Sequence, residues 1–289
     1  MSFLFLAQIM VGINIVLSKV LLSVMPIFLL LIIRFALAVI ILLPLHWFTA
    51  ASKIPLKTHF STLKRKDWFY ILAQSLCAGV LFNCLMLAGL HYTDANIAGI
   101  ITSSLPAIIA IMSWLILGER ISSQKSLCIV FATIGLAIIA ASKLTTIGEN
   151  HSFLGDFIVL LSLLPEAAYY VLCKLHPNKS PVFLISALMN GINTLALIPV
   201  LFFLPEYHQA FSSMNIFILF ILGLTSGMFY VFWNFGCQRV DGILTSLSTA
   251  IMPVATVIFA WVILGEQLTL VQCVGMCLVI FSIALYARR

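Results

Sequence analysis

An all-α membrane protein of ten transmembrane helices, in two inverted five-helix repeats, is the fold class that this sequence predicts. Three observations predict it. First, the 289 residues are 63% hydrophobic and 8% charged, against about 25% charged in ordinary soluble domains, and mean hydropathy is +1.18. Second, apolar stretches near the ~20 residues that cross a bilayer follow one another almost without pause. They are continuous rather than alternating, which favours helices over a closed barrel. Third, the chain repeats itself. Pro106, Trp114, Ile116, Leu117, Gly118 and Glu119 recur as Pro253, Trp261, Ile263, Leu264, Gly265 and Glu266. The offset is constant at 147, the difference between 106 and 253. It also pairs Gly89 with Gly236, Asp94 with Asp241 and Thr102 with Thr249.

The spans read in order as 3–22, 27–48, 67–90, 95–117 and 124–142, then 154–173, 182–204, 215–237, 243–264 and 270–287. The first begins at the N-terminus without a basic leader or a small-x-small cleavage site, so it reads as a retained helix. Pro106, Pro165 and Pro253 fall near the centres of the fourth, sixth and ninth spans and are expected to kink them. Gly118-Glu119 and Gly265-Glu266 close the fourth and ninth. Glycine suits a helix C-terminus, while glutamate opposes the dipole there, so these four residues read as structural fasteners. A weaker echo at an offset of 155 pairs Lys19, Pro26 and Pro44 with Lys174, Pro181 and Pro199. The repeats divide the chain into 1–145 and 146–289.

Charge sets an expected orientation. Lys53, Lys57, Lys64, Arg65 and Lys66 crowd the segment between spans two and three, and the positive-inside rule places it in the cytoplasm. Counting from there puts both termini inside. Arg120, Lys125, Lys174, Lys179, Arg239, Arg288 and Arg289 fall on the same side, twelve of fifteen basic residues in all. Lys143, Glu149, Glu206 and Glu266 fall outside. The net charge of +6 therefore speaks of topology and lipid headgroups rather than nucleic acid. Five spans per half make the repeats antiparallel, the geometry of carriers that alternate access around a midplane site. The seven cysteines sit in or at the ends of spans without metal-ligand spacing.

Several segments carry a family resemblance. Gly12-Ile13-Asn14 followed by Lys19, then Pro26 and Arg34-Phe35, with the paired Pro…Leu-Gly-Glu segments, resembles EamA-like proteins of the drug/metabolite transporter superfamily. The likeness spans the whole chain. The aromatic residue that commonly precedes the first glycine is Val11 here. The resemblance implies a ten-helix carrier of the inner (plasma) membrane, often an exporter of amino acids or related small metabolites.

Polar groups within the spans are the candidate substrate or coupling residues. Glu166 lies deep in span six beside Pro165, where an ionised carboxylate costs roughly 2.5–3.5 kcal/mol. It reads as a proton site or a counter-charge for an ammonium, or as a structural acid bonded to a carbonyl freed by Pro165. Arg34 reads as a partner of a substrate carboxylate, a partner of Glu166, or a snorkelling cation. Asn14, Asn83, Asn190, Asn193, Tyr169, Tyr170, Tyr230 and Trp233 add hydrogen bonding and aromatic surface. Each is as readily a helix-to-helix contact as a ligand contact. Asn14 and Tyr169 are equivalent by the 155 offset. Thr102, Ser103 and Ser104, and Ser246, Ser248 and Thr249, precede Pro106 and Pro253; these two prolines and Pro165 read as gating kinks or as static packing bends. Gly223 and Gly227 read as a packing motif.

The expected function is a secondary transporter, possibly coupled to protons, working on a small-molecule substrate within the lipid bilayer. The alternatives are an importer, a flippase for lipid-like substrates, an intramembrane enzyme and a non-transporting scaffold. No His-Glu-x-x-His pair, Gly-x-Gly-Asp pair, Gly-x-Ser-x-Gly turn or P-loop is present in the sequence, so no catalytic residue, metal, cofactor or ATP-driven step is expected. The chain is expected to act as a monomer, with a dimer as the alternative.

Overall fold

The structure, a computed structural model, describes residues 1–21, 24–90, 92, 101–119, 122–141, 152–177, 180–203, 212–237, 239–240, 242–265 and 268–287. Arg120, Lys143, Glu149, Lys179, Glu206, Glu266, Arg288, Arg289, Asp94 and Asp241 lie outside the described residues, as do the side chains of Lys19 and Lys125. The described chain is helical, without strands. Six helical segments are long and apolar enough to cross a membrane, and four shorter apolar helices bring the spans to ten.

Span one is α1 (Ser2–Leu21) and span two α2 (Ile27–Trp47). A short helix, α3 (Leu56–Ser61), lies in the basic segment, where only a loop was expected. Span three is built from α4 (Arg65–Ser75), a π-helical segment (Leu76–Leu81) and α5 (Phe82–Leu90). Spans four and five contain α6 (Leu105–Leu117) and α7 (Ser123–Ala141), and span six is α8 (Phe153–Leu175). Span seven is α9 (Val182–Leu197) with a 3₁₀ extension (Ile198–Phe203), and span eight is α10 (Ser213–Cys237). Span nine is broken into α11 (Gly242–Thr249) and α12 (Ile251–Leu264), and span ten is α13 (Leu270–Ala287).

Packing follows the internal repeat. α1 lies against α10 and α12, while its counterpart α8 lies against α5 and α6. Counterpart spans also meet directly, two with seven through α2 and α9, four with nine through α6 and α11, and five with ten through α7 and α13. The match extends to single residues. A Cβ placed on Gly89 would come within 2.6 Å of Val159, and one on Gly236 within 2.7 Å of Leu4. The two glycines are equivalent by the 147 offset, and Leu4 and Val159 by the 155 offset. Glycine at these crossings lets two backbones approach, which is how helices pack where lipid supplies no hydrophobic drive. α7 and α13 cross in the same way at Gly135 and Gly275, where an added Cβ would meet the opposing carbonyl at 2.8 and 2.6 Å.

The central prolines divide into two kinds. Pro106 sits in the first turn of α6, just after a turn at Ser103–Ser104. Pro253 sits in the first turn of α12, just after the break at Ala250. Each occupies a position whose N–H would have no helical acceptor, so the helix restarts there at little cost. Pro165, by contrast, lies inside the unbroken α8. The pseudo-symmetric breaks thus belong to spans four and nine, and span six runs continuously through its proline.

Gly118 and Gly265 end α6 and α12 in the left-handed conformation, both at φ +68°, and no other described residue has positive φ. Nothing lies within 4 Å of a Cβ built on either. Glycine is required there by backbone conformation alone. Gly118→Ala or Gly265→Ala is expected to lower stability by about 1 kcal/mol and Asn by less, as read by thermal unfolding in detergent. Equal stability of the Ala variants would remove this reason for the repeated glycines.

Candidate functional site

The break before α6, the break before α12 and the π segment of span three face a common cavity. Its volume is about 360 Å³, and both repeats line it. From α1 come Met10, Val11, Asn14 and Ile15, and from α2 come Arg34 and Phe35. Ala78, Phe82, Asn83 and Met86 are supplied by span three, and Thr102 and Leu105 by span four. Leu163 and Glu166 come from α8, Thr225, Ser226, Phe229 and Tyr230 from α10, and Met252 from α12. Three methionines, four aromatic residues and three Leu or Ile residues make an adaptable apolar wall around a few polar groups.

Each polar group has an identifiable support. Asn14 uses its amide N–H₂ toward the Leu222 carbonyl (3.2 Å) and the Thr225 hydroxyl (3.1 Å). Its carbonyl oxygen accepts from Arg34 Nη1 at 2.6 Å. The α1–α2–α10 junction thereby holds the guanidinium at the cavity, which also lies 4.8 Å from the Phe35 ring. On the opposite repeat, Glu166 accepts from the Tyr170 hydroxyl at 2.7 Å. Arg34 and Glu166 line one cavity but make no direct ion pair with each other. Arg34 turns inward rather than snorkelling, and the Glu166 side chain accepts from a tyrosine rather than reaching a carbonyl beside Pro165.

The π segment explains Asn83. Its amide donates to the carbonyls of Gly79 (2.7 Å) and Ala78 (3.3 Å), as the widened turn requires. A side chain on Gly79 would collide with the Asn193 amide. π-bulges often mark functional positions in helices, and here the bulge brings Ala78, Phe82 and Asn83 to the cavity.

The remaining predicted residues stand behind the wall. Asn193 is fully buried; it receives a hydrogen bond from Ser75 at 3.2 Å and donates to the Tyr230 hydroxyl at 3.3 Å. It therefore orients Tyr230 from outside the cavity. Asn190 donates to the Ser186 carbonyl one turn earlier at 2.8 Å, and is also buried away from the cavity. Tyr169, Tyr170 and Trp233 pack into an aromatic layer with Phe229 and Tyr230, with Tyr170 and Trp233 ring centroids 4.4 Å apart. The sequence reading placed all of these around one cavity. The structure brings Asn14, Arg34, Asn83, Glu166 and Tyr230 to it and leaves the other five outside its lining.

Thr225 and Ser226 are cavity residues that sequence reasoning missed. They fall between Gly223 and Gly227, which drew attention only as a packing motif. Both roles are present, since a Cβ on Gly223 would lie 2.5 Å from Leu37. Polar residues interleaved within a small-residue motif were the available signal. Gln8, fully buried on α1, was missed as well.

With this geometry in hand, comparison with known proteins identifies the fold. The EamA-like transporter family matches residues 1–141 and 153–288. An uncharacterized transporter of Bacillus subtilis, YetK, is 28% identical over 287 residues, covering 96% of this chain and 83% of that protein. A WAT1-related chloroplastic protein of Arabidopsis thaliana is 24% identical over 229 residues, covering 75% of this chain and 54% of that protein. A protein of known crystal structure, 15% identical, superposes with a TM-score of 0.80 over 99% of this chain and 95% of its own, a likeness of fold alone. The chain belongs to the EamA-like transporter family, and it is a multi-pass membrane transporter of the drug/metabolite superfamily.

Proposed function

We propose that this transporter is a secondary carrier that exports amino acids or related small metabolites by alternating access, with proton coupling at Glu166. The observation that carries the reading is a single cavity between the repeats lined by Arg34 and Glu166, two opposite charges that do not neutralise each other directly. A zwitterion fits such a pair. Its carboxylate meets the guanidinium through charge-assisted bonds, and its ammonium meets the carboxylate. The methionine- and phenylalanine-rich wall accepts the apolar body. Alternation is supported by a packing scheme in which α1 meets α10 and α12 as its counterpart α8 meets α5 and α6, while spans two, four and five meet their own counterparts.

The membrane is proposed to be the bacterial-type inner membrane, with both termini and the α3 segment in the cytoplasm. The support is the concentration of Lys53, Lys57, Lys64, Arg65 and Lys66 on one side of spans two and three. The protein is taken to work as a monomer, because the cavity is built within one chain. The two divisions proposed for the repeats are 1–145 and 146–289.

Single cysteines at Asn14 and Thr225, in an otherwise cysteine-free protein, test the site. Both are expected to react with a small water-soluble thiol reagent, and at least one member of an amino-acid panel is expected to slow that reaction. Labelling at both positions that no panel member changes would overturn the amino-acid site.

A further inference from the structure

The cavity stops abruptly on one side. Along α8, the lining ends at Glu166, and Tyr169, Tyr170 and Cys173 follow within two turns toward His176. Along α10 it ends at Tyr230, with Trp233 one turn further toward Cys237. Along α1 the lining begins at Met10, and Gln8 precedes it. One helical turn is about 5.4 Å, so these side chains form the next layer toward the end of the bundle that carries His176 and the start of α4. Both repeats contribute to it.

That layer has an unusual chemistry for a static core. Gln8, Tyr169 and Trp233 are each fully buried. Among the described residues, the Gln8 amide, the Tyr169 hydroxyl and the Trp233 indole N–H make no well-formed hydrogen bond, only weak ones to the groups beside them. The Cys173 thiol, a weak acceptor, is the group beside Tyr169 and Trp233. Gln8 lies beside the Tyr170 hydroxyl, which already gives its proton to Glu166. Buried polar groups with only weak partners are costly, and replacing them by apolar groups of similar shape is often neutral or stabilising. Three in one layer, continuous with a cavity, call for a state in which they are satisfied.

At the rim beyond the layer, a polar contact among the described residues joins α4 to α8. His176 donates from Nε2 to Asp67 Oδ1 at 2.6 Å, both side chains about a quarter exposed. Tyr70 stacks on the His176 ring at 4.4 Å. The other Asp67 oxygen accepts from the Lys64 N–H and so caps α4. The contact joins span three of one repeat to span six of the other.

We propose that Gln8, Tyr169 and Trp233 form a second, inner subsite of the transport path, sealed in this state and opened in the opposite one, with the Asp67–His176 contact as its latch. The inference rests on the carrier reading above. No ionised side chain belongs to the layer, so the subsite takes the uncharged, ring-bearing body of a substrate whose charged ends are held by Arg34 and Glu166. Opening separates α4 from the end of α8 and lets water or substrate reach the three polar groups.

The test reads opening without reading transport. Cys173 lies directly behind the layer, and a protein retaining it as its only cysteine, in lipid nanodiscs, reports access from either face. His176→Ala removes the latch and the ring stack while leaving the cap of α4 intact, and it is expected to speed Cys173 modification by on the order of tenfold. Gln8→Leu and Tyr169→Phe are expected to slow modification while leaving the melting temperature equal or higher. Uncharged N-ethylmaleimide is expected to react faster than a cationic methanethiosulfonate, after both rates are normalised to the unfolded chain. A static core predicts the same melting temperatures but no slowing of Cys173 modification in the apolar variants. That outcome, an unchanged rate in His176→Ala, or a faster cationic reagent overturns the inner subsite. Failure of the carrier reading itself shows elsewhere, as an absence of substrate movement in liposomes.

Discussion

Glu166→Gln is expected to fold and insert like the unmodified protein but to lose gradient-driven accumulation of substrate and the pH dependence of transport. The side chain sits at the cavity with one hydrogen-bond donor, Tyr170, at 2.7 Å. Glutamine keeps the shape and can still accept that bond through its amide oxygen, so packing around α8 is preserved. It cannot exchange a proton. A carboxylate that changes protonation between access states couples a proton to substrate movement, whereas an amide permits only exchange down the substrate's own gradient. Transport by purified protein in liposomes, with and without a pH gradient, separates the two behaviours. Accumulation by the Gln protein with an unchanged pH profile would return Glu166 to a structural role, as a bridge between α8 and Tyr170.

Arg34→Met is expected to raise KM for carboxylate-bearing substrates by about 10–100-fold, the equivalent of one charge-assisted hydrogen bond at roughly 1.5–3 kcal/mol. Methionine retains much of the stem that packs beside Phe35. Asn14 keeps its bonds to Leu222 and Thr225, so the α1–α10 contact survives the change. The informative comparison is between a carboxylate and its neutral amide as competing substrates. Discrimination between them is expected to fall with the arginine. If both compounds lose transport equally, Arg34 serves to hold Asn14 and the helix junction rather than to read charge.

Much of this architecture was legible because lipid restricts the choices. Continuous apolar runs forced helices, and the registered Pro, Trp, Gly and Glu forced a duplication. The two offsets, 147 and 155, looked like separate and unequal signals in sequence. In the structure they meet at the Gly89–Val159 and Gly236–Leu4 crossings, where one member of each pair obeys each offset. The repeated Trp114 and Trp261 are about half exposed on the outer surface, so their register was informative about the fold rather than the site.

The site was legible only in part. Midplane polarity identified Asn14, Arg34, Asn83, Glu166 and Tyr230, since such groups need a reason to be in the membrane. The same rule gave no way to distinguish a cavity wall from the layer behind it. Asn193 and Asn190 are as polar as Asn14, yet one orients Tyr230 and the other bonds back along its own helix. That distinction depends on which helix face meets the cavity. Helix breaks were also only half visible. Proline marked spans four and nine, but the π segment of span three contains no proline. It depends instead on Asn83 capturing two backbone carbonyls, a contact that no local pattern announces.

Transport by the purified protein in liposomes, against a panel of amino acids and related metabolites, tests the central reading most directly. Saturable exchange of at least one zwitterionic member is expected, with accumulation driven by a pH gradient and abolished in Glu166→Gln. If protein whose Asn14 and Thr225 positions accept thiol reagents moves no member of the panel under any gradient, the proposed carrier function is contradicted.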